Sequence, residues 1–445
     1  MVHDDKSSAL PLPVVDVTAI YAHPRTTGIQ RVVRDIVGDG KELRLVRYSA
    51  KHTCYVAVSA LPELTPRTEG RFVRAARKAV KDAAYRVWLG FGRVAETGPL
   101  RGWYTRARKV ASRLYSTFLS DAILNSPGEA YAEERVNLVS DDALWLLDIP
   151  KTDEHLVFIK ALVSSKRCKL GVYVHDMIPI DFPEMIGGPA AQAIKQSYVD
   201  YLQLVSLASQ VFFVSHYTQD RYHAFASNNG VQLPENEKVV YPPLDFSRYE
   251  SLKGAQSLDP NPELDRYLSA TAAGSRILCV SPLNERKNVK VALRALSRLL
   301  EKGNQIVFLL VAPTLSAADA ESVELVRKLT RRFPNNVFVT NQLSDAELVA
   351  AYLKTDIVVM PSVVEGFGLP IVEGLFFGCH VVVSNRTSFI ELGALWPIEL
   401  LPAHDDSAWA ERLRSLMYKS APGVNVEEDL PSPHQFRQMM SELVL

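Results

Sequence analysis

Residues 365–378 read EGFGLPIVEGLFFG, and two glutamates eight positions apart flank the middle of this stretch. The Gly-x-Gly at its start has the backbone freedom of a tight turn, and the proline that follows suits the start of a helix, where its missing N–H costs nothing. The pattern predicts a helix from about Pro370 to Gly378. Glu365 then lies in the loop before the helix and Glu373 in its first turn.

This arrangement predicts a ligand site. Backbone N–H groups and the dipole at the start of a helix attract phosphate, and carboxylates are strong acceptors for sugar hydroxyls. We therefore expect both carboxylates to border one small volume that suits a phosphorylated sugar. The residues alone leave a second interpretation open, a glycine-rich turn whose acidic residues complement the helix dipole.

The flanking sequence favours the ligand site. Apolar runs at residues 357–360 and 381–383 read as strands on either side of the turn and helix. In a parallel sheet, ligands bind at the loops that follow the carboxyl ends of the strands. The glutamate turn occupies such a loop.

The whole chain repeats this alternation of strand and helix, which specifies doubly wound α/β domains. In the second half, further strands are predicted at 277–280, 306–311 and 337–340. A helix after Asn288, its predicted N-cap, has an apolar face of Val289, Leu293, Leu296 and Leu300 and ends before Gly303. In the first half, strands are predicted at 14–17, 43–48, 144–147, 170–174, 211–214 and 239–241, and helices at 190–208 and 216–226.

Two such domains are expected to face each other across a cleft. Two prolines followed by the polar stretch 247–261 read as a linker. The predicted division is an N-terminal domain at 1–246, with a basic helical insertion at about 60–140, a C-terminal domain at 247–425 and a last helix within 426–445 that crosses back to the first domain.

Composition indicates a soluble multidomain protein. The 445 residues are 47% hydrophobic, with 50 basic and 50 acidic side chains. The four cysteines form no CxxC pair, which argues for a reducing compartment and against a zinc site. No apolar run approaches the roughly 20 residues of a membrane span, and the N-terminus is too polar for a signal peptide. These features predict a cytoplasmic protein.

Four stretches carry a family resemblance that covers nearly the whole chain except residues 60–140. VSPLNERKNVKVALRAL (280–296) and the run around EGFGLPIVEG resemble the retaining glycosyltransferases of family 4, whose GT-B fold has two Rossmann-like domains. TGIQRVVRDI (27–36) and VYVHDMIPIDFPE (172–184) resemble the bacterial mannosyltransferase-like branch that builds O-antigen and capsule polysaccharides. The resemblance implies transfer of a hexose from a nucleotide sugar to a glycan acceptor. In that branch the acceptor is usually lipid-linked.

The resemblance also assigns roles to residues. Glu365 would bind the donor sugar near the reacting carbon, Glu373 the nucleotide ribose, and Lys287 the departing diphosphate. Further donor contacts are implied for Gly28, Arg286 and the backbone N–H groups of Phe367, Gly368 and Leu369. His175 would border the reacting sugar, with a satisfied strand-end residue as the alternative. Asp176 would orient the loop, with a contact to acceptor or phosphate as a second possibility. Arg31 would contact acceptor or donor phosphate, with a solvated helix face as its alternative.

The chain departs from the family at one position. Family members often have Gly-Arg where Ser281-Pro282 stands, and proline supplies neither charge nor donor. Arg286 is a candidate replacement for that arginine. The departure leaves open a nucleotide-sugar-binding subunit without activity.

The resemblance implies same-face substitution, in which the departing diphosphate accepts the acceptor's proton, without cofactor or metal. Asp405-Asp406 is the nearest approach to a DxD motif and reads better as a helix cap. A dinucleotide-dependent oxidoreductase is disfavoured because no G-x-G-x-x-G follows a strand. GDP-mannose is the expected donor, with GDP-fucose, dTDP-rhamnose and UDP-sugars as alternatives.

Residues 65–115 concentrate positive charge, with thirteen basic and three acidic side chains. Aromatic and aliphatic residues lie among them, as an interfacial helix requires. The segment predicts docking to an anionic membrane surface, with a basic insertion packed on acidic parts of the protein as the alternative. The basic residues at helical spacing are Arg71, Arg74, Arg77, Lys78 and Lys81.

Overall fold

The computed structural model describes residues 12–22, 28–62, 134–150, 152–186, 191–254, 261–270, 274–313 and 319–444. Its first sheet has the strand order β4-β3-β2-β1-β5-β6-β7-β8 and is parallel except for β3, which pairs antiparallel with both β2 and β4. The strands are β1 Val14–Asp16, β2 Arg44–Ser49, β3 Cys54–Ala57, β4 Arg135–Val136, β5 Ala143–Leu146, β6 Lys169–Val174, β7 Gln210–Phe213 and β8 Glu237–Val239. The helices are α1 Thr18–Ala22, α2 Gly28–Val37, α3 Asp153–Ser164, α4 Ile178–Asp181, α5 Ala191–Val205 and α6 His216–Asn229, with a 3-10 turn at Pro183–Ile186.

The second sheet is parallel throughout and has the order β11-β10-β9-β12-β13-β14. Its strands are β9 Ser275–Val280, β10 Ile306–Val311, β11 Val337–Thr340, β12 Ile357–Met360, β13 His380–Ser384 and β14 Glu399–Leu401. The helices are α7 Phe246–Leu252, α8 Pro262–Ser269, α9 Val289–Glu301, α10 Ala320–Arg332, α11 Asp345–Leu353, α12 Leu369–Phe376, α13 Ser388–Leu395, α14 Asp406–Leu416 and α15 Pro433–Ser441. Short 3-10 turns occur at Glu285–Lys287 and Glu442–Val444.

Burial explains the strand predictions. All six residues of β10 are buried because helices cover both faces of a parallel sheet, so such a strand reads as a continuous apolar run. Strands β3 and β4 escaped prediction because they are short and lie at the end of the sheet, β4 at its edge and β3 next to it, without such a run. The protein thus has two doubly wound α/β domains, as the sequence predicts.

The last helix, α15, belongs to the second half of the chain but lies against α2 of the first domain. The indole Nε1 of Trp145 in β5 donates to the carbonyl of Met440 (3.2 Å), and the ring of Phe436 packs 5.5 Å from that of Phe212. The end of the chain therefore stabilises the first sheet.

Three local predictions were wrong in detail. Residues 246–252, inside the predicted linker, form α7. Helix α12 begins at Leu369, which moves Glu373 from the first turn to the second. Asn288 precedes α9 with a left-handed φ of 48° but makes no capping bond, because its side-chain amide donates to the carbonyls of Pro361 (3.1 Å) and Ala403 (2.6 Å).

Within the described ranges no helix is both long and apolar enough to cross a membrane.

Candidate active site

Two loops at the carboxyl edge of the second sheet bring three charged side chains together. Strands β9 and β12 are neighbours, so the turn after β9 and the loop after β12 meet. The Nη1 of Arg286 lies 2.8 Å from Glu365 Oε2, and Lys287 Nζ forms an ion pair with Oε1 of the same carboxylate. A backbone hydrogen bond also joins the two loops, from Val363 N–H to the carbonyl of Arg286 (2.8 Å).

The Glu285–Lys287 turn holds both cations in place. The side chain of Asn284 accepts a hydrogen bond from Lys287 N–H (2.9 Å) and so caps the turn. The sequence predicted Lys287 and Arg286 as donor-binding cations before a helix start, and the structure places both of them on one carboxylate.

Burial and charge act in opposite directions on this cluster. Glu365 is only 8% exposed, and burial alone would raise its pKa, but Arg286 and Lys287 lower the pKa to about 2. Burial lowers the pKa of Lys287, an effect that Glu365 partly offsets. Glu365 is therefore an anion and the site retains one net positive charge, which suits a diphosphate.

His175 and Asp176 approach this cluster from the end of β6 in the first domain. A Cβ added to Gly366 would lie 1.8 Å from the carbonyl oxygen of His175. The loop of residues 361–368, here called the glutamate loop, therefore contacts the opposite domain directly, and only glycine fits at position 366. The ring Nε2–H of His175 donates to the carbonyl of Leu147 (2.8 Å). Asp176 Oδ1 accepts from Ile178 N–H (2.9 Å), which supports the expectation that this carboxylate orients the loop.

Burial raises the pKa of Asp176, although Arg286 and His175 counteract it. Asp176 in turn raises the pKa of Arg286, together with the larger effect of Glu365 and against the effect of burial. The two domains thus influence each other electrostatically at this point.

Gly28 of the first domain meets the start of α12. A Cβ on Gly28, the first residue of α2, would lie 3.6 Å from Leu369 Cδ1. Phe367 and Leu369 are buried at this junction, and Gly368 has a φ of 116°, which strains any other residue. The residues expected to bind donor phosphate from both domains therefore lie next to one another.

Glu373 lies apart from this group. It is 1% exposed; its Oε1 accepts from Arg31 Nη2 (2.5 Å) and the Tyr249 hydroxyl (2.9 Å), and its Oε2 accepts from the Tyr352 hydroxyl (2.7 Å). Both glutamates were expected to border one small volume, but in the structure the Glu373 carboxylate is enclosed by Arg31, Tyr249 and Tyr352. A solvated helix face for Arg31 is also wrong, since its side chain is 20% exposed and bridges the two domains.

Sequence reasoning missed Tyr249 and Tyr352. Tyr249 lies in α7, inside the stretch read as a linker, and Tyr352 lies at the end of α11 without a local motif. An amphipathic reading of residues 246–252 would have detected α7, but not the contact with Glu373.

Two other predictions concern metal and membrane. Asp405 accepts from Ser407 N–H (3.1 Å) and Ala408 N–H (3.0 Å), which confirms it as the cap of α14. In the part of the chain that the structure describes, no three His, Cys, Asp or Glu side chains are grouped as metal ligands would be. The basic positions expected to contact a membrane lie outside the described residues, namely Arg71, Arg74, Arg77, Lys78 and Lys81.

Residues 271–428 match the family described as Glycosyl transferases group 1. The C-terminal domain is a glycosyltransferase group 1 domain. The match covers β9 to β14 and includes the turn with Arg286 and Lys287 and the loop with Glu365. The resemblance drawn from the motifs is confirmed at this level.

The similar proteins include a serotype-specific mannosyltransferase, WbdA, of Escherichia coli, 25% identical over 252 residues, which are 55% of this chain and 28% of the relative. A D-inositol 3-phosphate glycosyltransferase of Corynebacterium diphtheriae is 31% identical over 150 residues, covering 31% of this chain and 33% of that one. The matches thus span about a third or less of these relatives.

One solved structure is similar over both domains. The N-terminal domain of Candida albicans trehalose-6-phosphate phosphatase aligns with 98% of this chain and 95% of its own at a TM-score of 0.54 and 13% identity. At this identity the likeness concerns the fold alone. The fold prediction, GT-B with two Rossmann-like domains facing across a cleft, is confirmed.

Proposed function

We propose that the protein is a retaining glycosyltransferase that moves a hexose, mannose from GDP-mannose in the first instance, onto a glycan acceptor in bacterial surface polysaccharide synthesis. The observation that carries the proposal is the Glu365 carboxylate between Arg286 and Lys287, opposite His175 at the meeting of the two domains. The group 1 domain and the similarity to an Escherichia coli mannosyltransferase support the reaction class and the sugar.

The two cations would act on the leaving group. Negative charge grows on the diphosphate as its bond to the sugar breaks, so a cation fixed beside it stabilises the transition state more than the ground state. Lys287 and Arg286 are fixed in this way by the capped turn and by Glu365. Arg286 thereby supplies the second cation that Pro282 cannot.

Retention would follow from attack on the face that the diphosphate leaves. A double displacement needs two carboxyl groups about 5 Å apart on either side of the sugar. Glu365 is paired with two cations, and Glu373 is enclosed by other side chains. The two carboxylates are therefore not arranged as a nucleophile and an acid on either side of a sugar. The diphosphate oxygen would accept the acceptor's proton, and Glu365 would hold sugar hydroxyls.

Glu373 and Arg31 would act on the nucleotide from the domain interface. A ribose hydroxyl that binds Glu373 must replace one of the three donors now on the carboxylate. Displacement of Arg31 would free that guanidinium for a phosphate. Glu373→Gln should therefore weaken nucleotide binding.

A turnover assay tests the function. The protein should be incubated with GDP-mannose and a lipid-linked glycan, and release of GDP measured together with the anomeric configuration of the product. GDP-fucose, dTDP-rhamnose and UDP-sugars serve as competing donors. Stabilisation by GDP of about 2.7 kcal/mol at a hundred times Kd, without turnover on any acceptor, would identify a binding subunit instead.

The positive charge of residues 65–115 supports a location at an anionic membrane surface, and the family resemblance supports a lipid-linked acceptor. A lipid-linked acceptor lies at the inner face of the cell membrane, and each basic residue near an anionic leaflet contributes about 1 kcal/mol. We propose peripheral docking there. Liposome flotation should show binding that requires anionic lipid, weakens with salt and diminishes when Arg71, Arg74, Arg77 and Lys78 are changed to glutamate; equal binding to neutral liposomes would contradict it.

A further inference from the structure

Glu391, on α13 of the C-terminal domain, binds the start of a helix in the other domain. Its Oε1 accepts from His216 N–H (3.0 Å) and its Oε2 from Tyr217 N–H (2.8 Å), the first two residues of α6. The Tyr241 hydroxyl also donates to Oε1 (3.3 Å). N–H groups in the first turn of a helix have no partner inside it, and the helix dipole favours an anion there. Glu391 therefore caps α6 across the domain boundary.

The start of the same helix α13 holds the glutamate loop. The Ser388 hydroxyl donates to the carbonyls of Glu365 (3.1 Å) and Phe367 (3.3 Å), and Glu365 N–H donates to Thr387 Oγ1 (3.3 Å). Thr387 has a φ of 48° and a ψ of −133°. A β-branched residue at positive φ persists only where its surroundings impose it.

We infer that Glu391 is a positioning residue that couples docking of the two domains to the placement of Glu365. One short helix, Ser388–Leu395, has Glu391 bound to α6 in its middle and the contacts to the glutamate loop at its start. When the domains meet, the bonds to α6 fix the orientation of α13. Ser388 and Thr387 then hold Glu365 in place. This inference rests on the proposed function, in which Glu365 contacts the donor sugar.

The main test removes the carboxylate with Glu391→Ala. Transfer should fall about ten- to hundredfold in kcat, as expected when a reacting group is misplaced by about 1 Å, while the donor KM changes less than threefold. Glu391→Gln, which keeps one acceptor oxygen, should restore part of the rate. Glu411→Ala serves as the control, because Glu411 is an exposed glutamate on α14 of the same domain.

A second variant breaks the same contact from the other side. His216→Pro deletes one N–H at the first position of α6, where proline fits, and the preceding Ser215 already has an extended backbone (φ −162°, ψ 159°). This variant should lower kcat in the same direction. The double variant with Glu391→Ala should be no slower than Glu391→Ala alone.

Hydrogen exchange provides a readout that does not depend on turnover. Amides of residues 362–368 should exchange faster in Glu391→Ala than in wild type or Glu411→Ala. Unchanged exchange there, or additive losses in the double variant, would overturn the coupling. If exchange rises as expected but wild type transfers no sugar from any donor, the coupling stands and the proposed function fails.

Discussion

Gly366→Ala should abolish most transfer without unfolding the protein. The added Cβ would lie 1.8 Å from the His175 carbonyl oxygen, and ordinary contact begins at 3.4 Å, so the loop and the strand end must move about 1.6 Å apart. Gly366 has no positive φ, so its backbone conformation suits alanine. The effect of the substitution then comes only from the clash of the new Cβ with the His175 carbonyl oxygen. A displacement of this size next to Glu365 should cost about a hundredfold in rate.

The stability cost should be smaller than the about 1–3 kcal/mol of overpacking a closed core, because the two domains can separate slightly. GDP release from GDP-mannose measures the rate, thermal unfolding the stability, and small-angle scattering the domain separation. Gly423→Ala is the control, since nothing lies within 4 Å of its Cβ and its φ is not positive. Wild-type turnover by Gly366→Ala would show that the reacting enzyme lacks this contact, and the proposed site would be wrong.

Three further substitutions test the charges of the site. Lys287→Ala should lower kcat about a hundredfold with a smaller change in donor KM; unchanged kcat with raised KM would refute its role on the leaving group. Glu365→Gln should lose transfer yet bind free GDP about tenfold tighter by isothermal titration, because both cations are released. The pKa of Glu365 is about 2, below its ordinary 4.5. Its ion pairs should therefore stabilise the fold fully above pH 4.5, and this stabilisation should be lost as the pH falls toward 2. Acid unfolding of Glu365→Gln should lack this loss. Arg31→Ala leaves Glu373 without its cation and should cost about 3 kcal/mol of unfolding free energy. Lys238→Ala, which breaks a pair with Glu442 whose side chains are 51% and 60% exposed, should cost less than about 1 kcal/mol.

The sequence predicted the architecture because parallel strands buried on both faces leave apolar runs that need no partner to be recognised. Strands β10 and β12 were predicted with the bounds that the structure has. Local pattern also placed Glu365 in its loop and Lys287 near a helix start. These features depend on residues close together in the chain.

Contacts between distant segments were not predictable in this way. The pair of Arg31 with Glu373 joins residues 342 positions apart, and Glu391 caps a helix 175 positions away. Nothing in the local sequence of Glu373 distinguishes a carboxylate open to ribose from one enclosed by two tyrosines. That distinction arises only when α7, α11 and α12 of the C-terminal domain pack together and Arg31 joins them from the other domain.

The pairing of Glu365 with two cations suggests how the site would distinguish a nucleotide sugar from the free nucleoside diphosphate that is left after transfer. In the structure the carboxylate neutralises one of the two positive charges that a diphosphate needs. A nucleotide sugar carries hydroxyls that can take over Glu365 as hydrogen-bond donors, and Lys287 and Arg286 then turn to the phosphates. A free nucleoside diphosphate has no sugar to occupy the carboxylate, so Glu365 continues to compete for the cations. Under the proposed function, this exchange would favour the donor over the spent nucleotide and promote release of product, provided that Glu365 keeps its charge, as its low pKa ensures at neutral pH.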